Sequence, residues 1–197
     1  TNNAGGPFHV TRNNDIWIGS NQPDNDVNGV PTVAADGDDL IGTTPDDEDA
    51  FANQVRVFIN SGAGQITLPI TNNSGKAATL YAWVDFDQSN SFDSDERASI
   101  AIAATDVNPN MTLAWSGLTG VVTGDTYLRL RICTDDATVD CNQPIGIASN
   151  GEVEDYALTI TAPIAACGNN IVICSHSGSY GDINGSGATD LRAKLGN

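Results

Sequence analysis

A chain of 197 residues with 25 acidic and 8 basic side chains, a formal net charge of -17, is a poor partner for nucleic acid phosphates or anionic lipid headgroups, which both select Lys/Arg patches. With 40% hydrophobic residues it can fill one packed core, but no apolar run approaches the roughly 18 residues a membrane-spanning helix needs, so no direct membrane insertion is expected. Starting at Thr1 with no Met and no signal peptide, the chain reads as an excised piece of a larger exported protein.

In chain order, the stretch from Phe8 to Ile18 has room for one or two short strands. Residues 20–50 then form a long segment dense in Asp, Asn, Gly and Pro. A structureless loop of that length is improbable in a compact domain unless something holds it, and bound metal ions would supply the constraint. Runs rich in Val, Ile, Thr, Tyr and Trp predict strands at 55–60, 65–71, 78–86, 99–103, 111–116, 126–133 and 153–161. Many short strands at this spacing predict an all-β fold, an antiparallel β-sandwich of jelly-roll type with long calcium-binding loops. It occupies residues 1–162, and 163–197 form a small appendage or the start of a next module.

Four cysteines fall into two close pairs, Cys133 with Cys141 and Cys167 with Cys174. Close even pairing in an exported protein points to two local disulfides, the alternative being four unpaired buried thiols.

The sharpest chemical signal is the run from Asp85 to Glu96. Counted as a twelve-residue calcium loop, it puts oxygen-bearing side chains at positions 1, 3, 5, 9 and 12: Asp85, Asp87, Ser89, Asp93 and Glu96. The Ser91 carbonyl falls at position 7 and apolar Phe92 at position 8, as an anchor. Position 6 normally demands Gly for a positive φ, and Asn90 is the next most tolerant residue there. The flanks are strands, so the loop would lack the usual helix pair. A plain polar hairpin is the competing reading.

A second cluster, Asp36, Asp38, Asp39, Asp46, Asp47, Glu48 and Asp49, packs seven carboxylates into 14 residues with no Lys or Arg. Calcium binding uses several such oxygens, whereas a solubilising loop needs fewer. A third lies at Glu152, Glu154 and Asp155, entering the last strand. The two-residue strand period puts Glu154 on one face with Tyr156, Leu158 and Ile160, toward the core. A carboxylate there requires a partner: either calcium held by the acidic loops, or Arg129 or Arg131, which share one face of their own strand. Weaker half-loops begin at Asp24 and Asp182, each with Ala at position 12.

No catalytic arrangement is legible, and the chain is not expected to be an enzyme. His9 and His176 stand alone, no GxSxG occurs, and carboxylates packed into loops suit metal better than acid catalysis. Trp17, Trp83 and Trp115 lie on strands, where core packing is the more frequent role.

The segments TNNSGKAATLYAWVDFDQSNSFDSDE, LAWSGL, TYLRLRIC and NGEVEDYALTI, in that order, together with ADGDD and DDEDAF upstream, resemble the GEVED domain family over about residues 35–161. The departures are Ser89 and Asn90 in the calcium loop and the Cys133/Cys141 insert. The resemblance implies a calcium-associated β-sandwich from a secreted or surface-attached bacterial protein. It is also similar, more narrowly, to the peptide-binding modules of calcium-dependent adhesins. The resulting expectation is a monomeric module binding a cell-surface peptide, protein or glycan with Ca2+ as cofactor; a calcium-rigidified spacer is the alternative.

Overall fold

The computed structural model describes residues 7–9, 15–21, 50–51, 55–59, 61–104, 107–137 and 140–161. The acidic run at 36–49, Cys167, Cys174, His176, both half-loops and the appendage predicted at 163–197 lie outside the described residues. The chain divides into two units, Thr1–Pro163 and Ile164–Asn197, and every described residue belongs to the first.

Among the described residues it contains ten strands: β1 (Phe8–His9), β2 (Ile16–Ile18), β3 (Val55–Phe58), β4 (Gly64–Asn72), β5 (Ala78–Val84), β6 (Arg97–Ile102), β7 (Val107–Trp115), β8 (Gly124–Thr134), β9 (Ile147–Ala148) and β10 (Glu152–Thr161). One sheet has the order β3-β10-β8-β5-β6, a second β2-β4-β7, and β1 pairs with β9 in a small third. Alternate residues explain the layering. Leu80, Ala82 and Val84 of β5, Leu128, Leu130 and Ile132 of β8, and Tyr156, Leu158 and Ile160 of β10 face inward. There they meet Ile66, Leu68 and Ile70 of β4, Ile18 of β2 and Leu113 and Trp115 of β7 in one continuous core. Two sheets sharing one apolar interior make the protein a β-sandwich. Among the described residues, no helix is long and apolar enough to cross a membrane.

The pairing is antiparallel apart from β3 with β10 and β1 with β9, which run parallel. β7 begins at Val107, four residues before the predicted start. Asn108, Pro109 and Asn110 are poor strand formers, but β7 is an edge strand, where a proline without an N–H leaves no partner unsatisfied. The register of β4 against β7 shifts between Pro69 and Thr71, the mark of a bulge.

The outward face of the five-stranded sheet carries a second layer. Tyr81 stacks on Trp83, and the Arg97 guanidinium lies 5.6 Å from the Tyr81 ring centre. Across this face runs a strap, residues 140–150. Its carbonyls accept from three arginines: Asn142 from Arg97 (3.1 Å), Pro144 from Arg129 (2.8 Å), and Gln143, Ile145 and Gly146 from Arg131 (2.7, 3.2 and 3.2 Å). A Cys133–Cys141 disulfide ties the strap's start to β8. That bridge closes a loop shorter than the 15 residues for which chain entropy gives about 3 kcal/mol. Replacing both cysteines by serine is therefore expected to cost about 2.5 kcal/mol, or about 5–10 °C in a chain this size, in a thermal melt. A larger drop would mean that the bridge shapes the native state itself.

Candidate metal centre

The loop from Asp85 to Glu96 joins β5 to β6. Its base is fixed before any ion is considered. The Asp85 N–H donates to the Tyr127 carbonyl (3.2 Å), the Thr126 hydroxyl to the Asp85 carbonyl (2.7 Å), and the Val122 N–H to the Phe86 carbonyl (2.8 Å). Phe86 enters the core edge-on to Trp115, whose indole N–H donates to the Glu96 carbonyl at 2.6 Å. Both ends of the loop are thus pinned to the same aromatic pair. A 3-10 turn, Ser94–Glu96, then leads into β6.

Within that frame Asp85, Asp87 and Glu96 converge, with a carboxylate oxygen from each lying within 4.8 Å of the others. Two oxygens bound to one calcium at 2.3–2.6 Å lie at most about 5 Å apart, so this grouping has the size of a calcium site. Asp85 and Glu96 are 6% and 4% exposed. Burying like charges together without a cation is costly, and no ion pair closes on these three among the described residues.

Backbone amides hold the carboxylates in place. Asp85 Oδ1 and Oδ2 accept from Ser89 N–H (2.9 Å) and Asn90 N–H (3.0 Å), and Asp87 Oδ1 also accepts from Ser89 N–H (3.0 Å). Glu96 Oε1 accepts from Phe86 (2.5 Å) and Asp87 (3.3 Å), and Oε2 from Asp93 (2.9 Å). A carboxylate offers about four lone-pair sites, so each retains acceptor capacity for an ion. Burial pushes the Glu96 pKa up, opposed by its backbone hydrogen bonds, and the Asp85 charge adds to the rise. A divalent ion would supply the missing positive charge and reverse that direction. The donor set, all oxygen and mostly anionic, fits a hard cation. Asn90 has φ +66°, as position 6 requires, and Gln88 has φ +56°.

The other loop residues sit around this group. Ser89 and Ser91 join through their hydroxyls (2.9 Å), and the Ser91 hydroxyl reaches Asp93 Oδ1 at 3.5 Å. Asp93 lies outside the close group of three. Phe92 anchors the loop as expected, its ring centre 5.3 Å from the Arg129 guanidinium.

Glu152, Glu154 and Asp155 are not brought to this loop, and none joins a carboxylate group of this kind among the described residues. Asp155 receives two hydrogen bonds from Arg129, at 2.6 and 2.5 Å. Glu152 accepts the Ile18 N–H of β2 at 2.6 Å, stitching one sheet to the other. Glu154 is buried and takes the Tyr156 hydroxyl. Since Glu154 pairs across with Leu130, it faces the core, and Arg129 and Arg131 point to the opposite side. The arginine alternative for Glu154 is therefore corrected: those two serve Asp155 and the strap. The Tyr156 oxygen also accepts from Ala50 N–H (2.9 Å), and Phe51 packs edge-on to the Tyr156 ring (5.0 Å), so the residues directly following the acidic run are fastened beside Glu154.

Two features escaped the sequence reading. His9 is half-buried and bridges elements: its Nδ1–H donates to the Asn150 carbonyl, and its Nε2 accepts from Arg131 at 3.3 Å. Gly151 has φ +88°, and a Cβ there would stand 1.8 Å from the Ile132 carbonyl oxygen. No spacing rule exposes either, since both depend on which strands become neighbours.

The fold and loop define a two-sheet β-sandwich with an acidic, calcium-sized loop at the end of a central strand. Residues 79–159 match the model of the GEVED domain, and the chain carries a GEVED domain over that span. No curated protein matches the chain. Similar solved structures include the periplasmic chaperone SfaE, at 16% identity over 55% of this chain and 54% of that one, with a TM-score of 0.28. Another is the seventh ScaB type I cohesin from Pseudobacteroides cellulosolvens, at 13% identity over 56% of this chain and 92% of that one, with a TM-score of 0.26. The match thus spans about half the length of the chaperone.

Proposed function

We propose that this chain is a calcium-dependent ligand-binding module of a bacterial surface protein, holding a peptide or glycan for cell attachment. The observation that carries the reading is the convergence of Asp85, Asp87 and Glu96 without a pairing cation. A module that only spaced other domains would need no acidic segment as long as 20–50. The disulfide fits an oxidising, extracellular setting. Calcium would bind the loop, order the acidic segments, and accept one further oxygen from a ligand carboxylate or vicinal hydroxyls.

The first test is a thermal melt in calcium against EDTA. Ligand binding to the folded state alone stabilises by about 2.7 kcal/mol at 100 times Kd, which is about 5–11 °C in a chain of this size. Glu96→Gln keeps the shape and removes a charge, and should reduce the stoichiometry or affinity in calorimetry. Trp115 reports on the same event, because its indole N–H sits on the Glu96 carbonyl: its emission should shift on calcium addition and not in Glu96→Gln. Identical melts with and without EDTA would remove the calcium reading. A peptide and glycan array with and without EDTA then separates the functions. Calcium-dependent capture supports the binding module, and a blank array with intact calcium binding leaves the spacer.

A further inference from the structure

We infer that ion occupancy of the Asp85–Glu96 loop controls the strap at 140–150, with Phe92 and Arg129 as the link. This rests on the calcium reading above. Phe92 sits between Ser91, whose carbonyl holds the loop's seventh position, and Asp93 at the ninth. Ordering the backbone on both sides of it fixes the ring. The Arg129 guanidinium carbon lies over that ring, 5.3 Å from its centre. Each guanidinium nitrogen is engaged: Nε and Nη2 donate to Asp155, and Nη1 donates to the Pro144 carbonyl in the strap. These hydrogen bonds fix the group in its plane, and the Phe92 ring beneath it is the contact that links it to the ion loop. Arg129 is therefore a shared support for the ion loop, for β10 and for the strap.

What the strap presents gives this link a consequence. Ile145 follows Pro144 directly and Ile147 lies two residues further on; they are 63% and 48% exposed, in a chain of net charge -17. Arg97 and the disulfide hold the strap's earlier end, Arg131 holds the Gln143, Ile145 and Gly146 carbonyls, and Ile147 pairs with Phe8 of β1. Pro144, next to Ile145, is the anchor that the ion loop reaches through Phe92 and Arg129. An ion that fixes Phe92 therefore adds to what holds these two side chains in place. By linkage, a looser strap must weaken ion binding by the same factor.

The experiment is hydrogen–deuterium exchange of strap peptides covering 141–150 in the full chain, with EGTA and with saturating calcium. Calorimetry on the same samples reports ion binding. Protection of the strap should rise about fivefold or more, the lower end of measured couplings. In Phe92→Leu, which keeps apolar bulk and removes the ring face, calcium should still bind and the rise should fall below about twofold. In Glu96→Gln the rise should fall in step with the calcium occupancy that calorimetry reports. Absence of calcium binding to the unsubstituted protein overturns the calcium reading and this inference together. Calcium binding with an unchanged strap overturns this inference and leaves that reading standing. A strap that responds equally in Phe92→Leu, or that responds fully in a Glu96→Gln protein whose calcium occupancy has fallen, refutes the route through Phe92 and Arg129.

Discussion

Replacing Gly151 by alanine is expected to lower the melting temperature by about 10 °C, or to prevent folding outright. Two costs combine. At φ +88° an L side chain pays about 1–3 kcal/mol for an unfavourable backbone. The added methyl would also stand 1.8 Å from the Ile132 carbonyl oxygen and 3.0 Å from the Cys133 Cα, both backbone atoms of a central strand. Neither can retreat without breaking the ladder, because Ile132 pairs with Glu152 on one side and Leu80 on the other. A total of at least about 3 kcal/mol follows, and each kcal/mol is worth about 2–4 °C in a chain of this size. Gly117→Ala is the control. It has φ +71° and nothing within 4 Å of the added atom, so only the backbone cost of about 1–2 kcal/mol applies. Thermal melts of the two variants decide the matter. Equal losses would show that the close approach to Ile132 is not what demands glycine.

The rest of the GEVED signature reads in the same way. Gly151 lets β10 pass against β8, Glu152 ties β10 to β2, Glu154 and Tyr156 fasten Ala50, and Asp155 clamps Arg129. Four of the five residues from Gly151 to Asp155 thus each carry a separate structural constraint on one strand entry. Their candidacy as ion ligands rested on the two-residue period, which turns Glu154 to the core, where a carboxylate needs a partner; the acidic run that would share an ion with them lies outside the described residues. Sequence gives the charge and the face but not the neighbour, and here the neighbour determines the role. Asp155 and Arg129 lie 26 positions apart, and only the β8–β10 register makes them opposite.

Strand positions were legible because two-residue alternation survives in every central strand. The run 78–86 became Ala78–Val84, 126–133 became Gly124–Thr134, and 153–161 became Glu152–Thr161. The loop from Asp85 to Glu96 was legible because its oxygens are close in sequence. Parallel pairing of β3 with β10 was not, since inward-facing residues alternate identically in either direction. The strap was also illegible. Residues 140–150 have no periodicity, and what holds them is a set of arginine side chains bonded to backbone carbonyls, a partnership no sequence pattern reveals.

Arg131→Leu is expected to lose about 3 kcal/mol and to free the strap. The side chain is completely buried, and its guanidinium, the pKa lowered to about 10 chiefly by burial and then by Arg129, is still charged at neutral pH. Replacing a buried charge by a similar-sized apolar group is often neutral, because the desolvation cost disappears with it. That outcome requires the partners to vanish as well. Here they are backbone carbonyls of Gln143, Ile145 and Gly146 and the Nε2 of His9, none of which a leucine can satisfy. Hydrogen bonds to a charged donor contribute about 1.5–3 kcal/mol each, while orphaned acceptors regain water only if the strap lifts. Lifting leaves β1 exposed too, because it pairs with Ile147 and Ala148 and His9 loses its donor. The variant should therefore remain a β-sandwich by circular dichroism, unfold at lower denaturant, and exchange faster across 141–150 and at the β1 amides than in the core strands. A stability loss under about 1 kcal/mol with an unchanged strap would mean that the guanidinium is a tolerated buried charge, and that the disulfide and Arg97 suffice to hold this layer to the sheet.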